Sequence, residues 1–147
     1  MKFNTKTRYG LRTMLELALN EDGEEGIFQK DIAENQNVSV KYLDHIIADL
    51  KAAGLVTNVG GKKSGYKLNR PAKDISVYDI YTAFEEELII IDCLIHGGHC
   101  PNKQKCVMRD YWADLNQTIR SNMESMNLKE LALQHKDSDV ALENSNS

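Results

Sequence analysis

All three cysteines of this 147-residue chain fall in one stretch: Cys93-Leu94-Ile95-His96-Gly97-Gly98-His99-Cys100-Pro101-Asn102-Lys103-Gln104-Lys105-Cys106. The spacing is C-x6-C-x5-C, and the rest of the chain holds no cysteine. Gly97, Gly98 and Pro101 mark the stretch as loop, so the thiols can converge. Thiolates are soft donors suited to an iron–sulfur cluster or to zinc. Lys103 and Lys105 supply positive charge beside them. A cluster needs a fourth ligand, with His96, His99 and Asp110 as candidates, and zinc is satisfied by three cysteines plus His96 or His99. Three free thiols are the remaining alternative. Spacing alone does not choose among these.

A second group of side chains suits nucleic acid. Lys41, Tyr42, His45 and Asp49 lie on the free face of a short helix that Ser39 is placed to cap. Lysine and tyrosine reach phosphate, and serine, tyrosine and histidine reach base edges or phosphate. Behind them runs Gly60-Gly61-Lys62-Lys63-Ser64-Gly65, a turn tipped by two lysines among glycines that allow close backbone approach. Asp44 and Asp49 oppose phosphate nearby, so the first turn of the helix is expected to dock. Charge is uneven. Residues 1–70 carry 11 Lys and Arg against 9 Asp and Glu, and residues 71–147 carry 7 against 13. A net charge of −4 disfavours nucleic acid overall, yet the first half can present a basic face.

The elements that hold these residues follow from periodicity. Residues 5–21 read as a helix, with Tyr9, Leu11, Met14, Leu15, Ala18 and Leu19 at helical spacing. Residues 28–35 form a second helix and Gln36-Asn37-Val38 a tight connection. The third helix carries Leu43, Ile46, Ile47 and Leu50 and stops at Gly54. Strands at 55–59 and 66–68 flank the lysine turn. This order predicts a mainly α fold with a small β-hairpin, a winged helix-turn-helix. An ordinary helical hairpin with a solvated face is the plainer alternative, but a basic hairpin directly after the third helix has little purpose there.

Ser76 is placed to cap a helix from Val77 to about Glu86. A long helix is expected from about Val107 to Met126, with Met108, Trp112, Leu115, Ile119, Met123 and Met126 spaced close to every 3.5 residues. That is the seam of a two-helix packing, with a helix packed on its own domain as the alternative; because the protein is small and the helix long, a homodimer is expected, with two reading helices over half-sites of a palindromic operator. Asn127 and Glu130 suit the start of a last helix ending near Gln134. The expected organisation is 1–75 for DNA binding, 76–134 for the cysteine loop and dimerisation helix, and 135–147 as a disordered polar tail. No run of apolar residues spans a bilayer and the first residues lack a signal-peptide pattern, so a cytoplasmic protein without a membrane partner is expected. No nucleophile–base arrangement and no phosphate-binding glycine loop between strand and helix points to an enzyme.

To about residue 134 the chain resembles the Rrf2 family of bacterial winged-helix transcription regulators. Thr5-Lys6-Thr7-Arg8-Tyr9-Gly10-Leu11-Arg12 is similar to its first-helix signature. Val38-Ser39-Val40-Lys41-Tyr42-Leu43 and Gly54-Leu55-Val56 are similar to its recognition helix and exit, and Gly60–Tyr66 to its wing. The three-cysteine loop followed by Trp112 and Leu115 resembles the cluster-binding, IscR- and NsrR-like branch. The resemblance implies a dimeric regulator, expected to repress, whose operator affinity responds to the state of a 2Fe-2S or 4Fe-4S cluster, to redox change or to nitric oxide. It implies Cys93, Cys100 and Cys106 as ligands, Ser39, Lys41, Tyr42 and His45 at the major groove, and Gly61, Lys62, Lys63 and Gly65 along the wing. The chain departs from the branch in four places. Arg109 stands where the IscR pattern has a histidine, Arg8 where the NsrR pattern has an aspartate, and Gly60 where IscR has an arginine, and the first gap between cysteines is one residue longer than in IscR.

Overall fold

A computed structural model describes residues 2–60, 65–95 and 106–146. The first helix, α1, runs Thr5–Leu19. Asn4 caps it, its Oδ1 accepting the Thr7 N–H at 2.7 Å. Thr7, Gly10, Thr13, Met14, Leu17 and Ala18 form its buried stripe. The second helix, α2, runs Gln29–Gln36 and ends at Asn37, whose φ of 55° is left-handed. Asparagine tolerates that region better than other residues with a Cβ. Two residues on, Ser39 Oγ accepts the Tyr42 N–H at 3.0 Å and starts α3, Val40–Ala52. The helix-turn-helix thus owes its tight corner to Asn37 and Ser39. Leu43, Ile46, Ile47 and Leu50 bury the inner face of α3. Gly54, at φ 75°, reverses the chain after it.

Strands β1, Val56–Asn58, and β2, Tyr66–Leu68, pair antiparallel with Val56 opposite Leu68 and Asn58 opposite Tyr66. A further pairing was not expected from the sequence. Ile27 and Tyr66 exchange backbone hydrogen bonds of 2.9 and 2.8 Å, laying the α1–α2 connection along the outer edge of β2. This covers an edge that would otherwise expose unpaired backbone groups.

The helix α4 runs Val77–Phe84 from a reciprocal cap in which Ser76 and Asp79 satisfy each other's backbone N–H groups. The longest helix, α5, spans Val107–Ser125, and α6 spans Leu128–Ser145 from an Asn127 cap. The junction between them is pinned to the start of α4. Val77 N–H donates to the Met126 carbonyl at 2.9 Å and Leu128 N–H to the Ile75 carbonyl at 2.8 Å. The last helix was expected to end near Gln134 but runs on to Ser145. No glycine or proline interrupts residues 127–145, and His135 and Asp139 pair one turn apart at 3.3 Å.

Ile80, Leu128 and Ala132 belong to the same core as Met14, Ile46 and Leu50. Residues 1–75 therefore share their core with α4 and α6 instead of closing one of their own. A second cluster joins Tyr81, Leu88 and Met123, with Ile90 and Ile119 packed against it. Among the described residues, no helix is long and apolar enough to cross a membrane.

Candidate nucleic-acid interface and cysteine site

On the outer face of α3 the acidic side chains Asp44 and Asp49 have partners within the chain. Gln29 Nε2 donates to Asp44 Oδ1, and also to the Val40 carbonyl at 3.2 Å. Lys6 Nζ lies 3.5 Å from Asp49 Oδ2. Both carboxylates that oppose a phosphate are thus engaged within the chain, while Lys41 and His45 stay exposed beside them. Ser39 serves as the helix cap. Tyr42 is half-buried, its ring edge-on to Tyr9 with centroids 5.9 Å apart. The Arg12 guanidinium lies 5.2 Å from the centre of the Tyr9 ring. The tyrosine pair fixes the first turn of α3 against α1.

At the other end of α3, Lys51 ties the helix to the hairpin. Its Nζ donates to Asn58 Oδ1 at 2.6 Å and sits 4.9 Å from the Tyr66 ring centre. Lys51, which the sequence did not single out, thus adds a side-chain link between α3 and the hairpin to the backbone bond from Leu55 N–H to the Leu50 carbonyl. Gly61, Lys62 and Lys63 lie outside the described residues. Gly65 is buried, and a Cβ there would stand 2.6 Å from the Glu25 carbonyl oxygen and 2.8 Å from the Ile27 nitrogen. Its small size is required by the strand-edge pairing at the base of the wing.

Cys93 lies in a single 3-10 turn, Asp92–Leu94, and Cys106 is the N-cap residue of α5. Both are half-buried free thiols. Arg109 joins them. Its side-chain Nε donates to the Cys93 carbonyl at 3.2 Å, and its backbone N–H donates to the Cys106 carbonyl, also at 3.2 Å. Cys106 makes no side-chain cap bond to α5. Thiols are soft donors of the kind a thiophilic metal or cluster takes, and among the described residues no three His, Cys, Asp or Glu side chains converge on a metal position. Cys100, His96 and His99 lie outside the described residues. Asp110 lies in the first turn of α5 and is exposed.

The apolar seam of α5 divides into two parts. Met108 is 52% exposed, and Val107 and Tyr111 beside it are 80% and 55% exposed. Trp112 and Leu115 are half-buried. Ile119 and Met123, read from the sequence as part of a dimer seam, pack on Tyr81 and Leu88 of their own chain.

Residues 3–134 match the sequence model of Rrf2, described as an iron-dependent transcriptional regulator. The chain belongs to the Rrf2 family. Protein rrf2 of Nitratidesulfovibrio vulgaris is 34% identical over 131 residues, covering 89% of this chain and 87% of that protein. The transcriptional regulator IscR of Vibrio atlanticus is 34% identical over 132 residues, 89% of this chain and 75% of IscR. Among solved structures, CymR, the global cysteine regulator of B. subtilis, superposes with a TM-score of 0.76 at 30% identity, covering 91% of this chain and 98% of CymR. IscR of T. potens gives 0.74 at 31% identity, covering 94% and 90%.

The expected winged helix-turn-helix fold is thus the Rrf2 fold, and the protein is a DNA-binding transcriptional regulator, not an enzyme. What the sequence left unread in this Rrf2 chain were the side chains that arrange others: Gln29, Lys6 and Lys51 around α3, and Arg109 at the cysteines. Only Arg109 carried a signal, as the departure from the histidine of the IscR pattern.

Proposed function

We propose that this Rrf2 regulator acts as a homodimer on a palindromic operator, and that Cys93, Cys100 and Cys106 hold an iron–sulfur cluster whose state sets operator affinity. The observation that carries the reading is the Arg109 side chain, which bonds the Cys93 carbonyl from the first turn of the helix whose N-cap residue is Cys106, the helix with the uncovered apolar face. A bound cluster supplies a group sensitive to oxidants and to nitric oxide. The remaining work is done by the chain's own residues. The segment from Cys93 back to Glu85 lies along α5 and reaches α1, where the Glu85 carboxylate meets the Thr7 hydroxyl at 2.6 Å. In turn, α1 carries Tyr9, which touches Tyr42 at the start of the reading helix. Fixing or freeing the cysteine segment then favours one of two placements of the reading heads. Only a difference in DNA affinity between such placements can carry the signal. Lys41 and the wing lysines Lys62 and Lys63 contact phosphate, and His45 contacts base edges.

Anaerobic purification followed by an absorption spectrum, iron, sulfide and zinc counts, and sedimentation analysis tests the reading. Iron and sulfide in a dimer support it. Zinc without iron converts it to a zinc-stabilised regulator, and absence of both leaves a thiol-based one. The Cys93→Ala, Cys100→Ala, Cys106→Ala triple variant is expected to lose the response of operator affinity to oxidant. A triple variant that binds and responds as the parent does would refute the role of the cysteines.

A further inference from the structure

One face of α5 grips the segment that leads into the cysteine loop at three successive points. Arg120 Nη1 lies 2.8 Å from Glu87 Oε1. Asn116 takes the next stretch with both ends of its amide: Oδ1 accepts the Ile90 N–H at 2.8 Å and Nδ2 donates to the Leu88 carbonyl at 3.0 Å. Arg109 then holds the Cys93 carbonyl. An asparagine amide offers one acceptor and two donors, so it can satisfy a backbone N–H and a backbone C=O two residues apart, as a neighbouring strand would. Leu88, between the first two grips, is 2% exposed and packs with Tyr81 and Met123. The segment 87–93 is therefore fixed in register along α5, running toward the residue that caps it.

We propose that Asn116 and Arg109 are positioning residues that clasp the Cys93 segment to α5, so that Cys93 and Cys106 are held as a pair by the protein itself before any metal arrives. This rests on the reading of those cysteines as ligands, and it assigns the arrangement of the donor set to residues that donate nothing to it. The Arg109 side chain holds the Cys93 backbone to the first turn of α5, the helix whose N-cap residue is Cys106. Asn116, two turns further along, fixes the slack in the segment that delivers Cys93. Prearranged donors bind more tightly because less ordering is left to the binding step.

The test uses the metal-free full-length chain carrying Cys100→Ser, which leaves one candidate pair. Phenylarsine oxide is the probe, since its trivalent arsenic binds two thiols at once with release of one water. The Cys100→Ser chain is expected to bind it one to one. Added to that chain, Asn116→Asp keeps an acceptor for Ile90 and removes the donor to Leu88, while Arg109→Gln removes the donor to Cys93. Each is expected to weaken arsenical binding about tenfold, the scale of one lost hydrogen bond. Gln117, exposed on α5 and bonded to Ser121 Oγ at 3.0 Å, lies outside the three grips, so Gln117→Ala is expected to leave the affinity unchanged. The proposal is overturned if the Cys100→Ser chain does not bind the probe, if neither substitution weakens binding, or if Gln117→Ala weakens it equally. A parent chain that pairs its thiols on arsenic but takes up no iron and sulfide would sink the cluster reading and leave the clasp standing.

Discussion

Thr7 and Glu85 are 78 residues apart in sequence, yet the Thr7 hydroxyl lies 2.6 Å from Glu85 Oε2, with Thr7 fully buried. The Asn4 side-chain oxygen accepts the Thr7 N–H at 2.7 Å and lies 2.9 Å from the Thr7 hydroxyl, whose shorter contact is to the Glu85 carboxylate. This bond joins the helix that supports the reading head to the residue that ends α4 and begins the approach to the cysteines. Thr7→Val keeps the shape and removes the donor, leaving a carboxylate against a methyl group. A loss of about 1–3 kcal/mol is expected, read from urea unfolding. Unchanged stability would mean that water replaces the hydroxyl freely.

Tyr81 gives a second expectation, on alkaline stability. Its phenol is raised above the ordinary value of 10.0, chiefly by burial, then by the nearby Glu85 carboxylate and by Tyr78. Over the interval between the unfolded and the raised folded value, the folded state binds more protons than the unfolded one. Stability therefore falls as pH rises through it. The contribution is complete below the unfolded value and lost above about pH 10. Tyr81→Phe should flatten this alkaline decline in thermal melts, and a decline as steep as the parent's would assign it to other groups.

The divided seam of α5 predicts that substitutions along one helix have different effects. Met123 is 6% exposed within its own chain, so Met123→Ala is expected to cost about 2–5 kcal/mol of folding stability. Met108→Glu, at an exposed site, is expected to leave secondary structure intact and shift the protein toward monomer in sedimentation. If Met108→Glu sediments as the parent does, the N-terminal half of α5 is not the dimer contact.

On α3, Lys41→Gln should weaken binding to all duplexes alike and reduce the salt dependence of log K by about one contact. His45→Ala should instead relax preference at one base position, by about 1–3 kcal/mol. Anisotropy titrations at several salt concentrations, on the operator and on an unrelated duplex, separate the two. Equal effects of both variants on both duplexes would remove His45 from base readout.

The reading helix, its Ser39 cap, the caps at Ser76 and Asn127 and the stop at Gly54 were all legible in the sequence, because each depends on groups within about four residues. Family membership was legible for a related reason: short motifs at Thr5–Arg12, Val38–Leu43 and Gly54–Val56 lie on local elements and keep their spacing. The end of α6 was misplaced because a polar helix and a polar coil share a composition, and helix continuation is decided by small backbone preferences that no single residue announces.

Taken alone, the sequence determined the helices, the corner between α2 and α3, the hairpin, and that all three cysteines fall within one stretch of the chain. It did so because period, cap and turn chemistry act over a few residues. Only the tertiary structure decided that Ile27 closes the edge of β2, that Ile119 and Met123 pack within the chain while Met108 stays uncovered, and that the Arg109 side chain bonds the carbonyl of Cys93, sixteen residues away. A stripe of apolar side chains states that something must cover it but not what, and a guanidinium reaches whichever carbonyl the packed core brings near. Both are fixed by long-range burial, which the order of residues along the chain does not display.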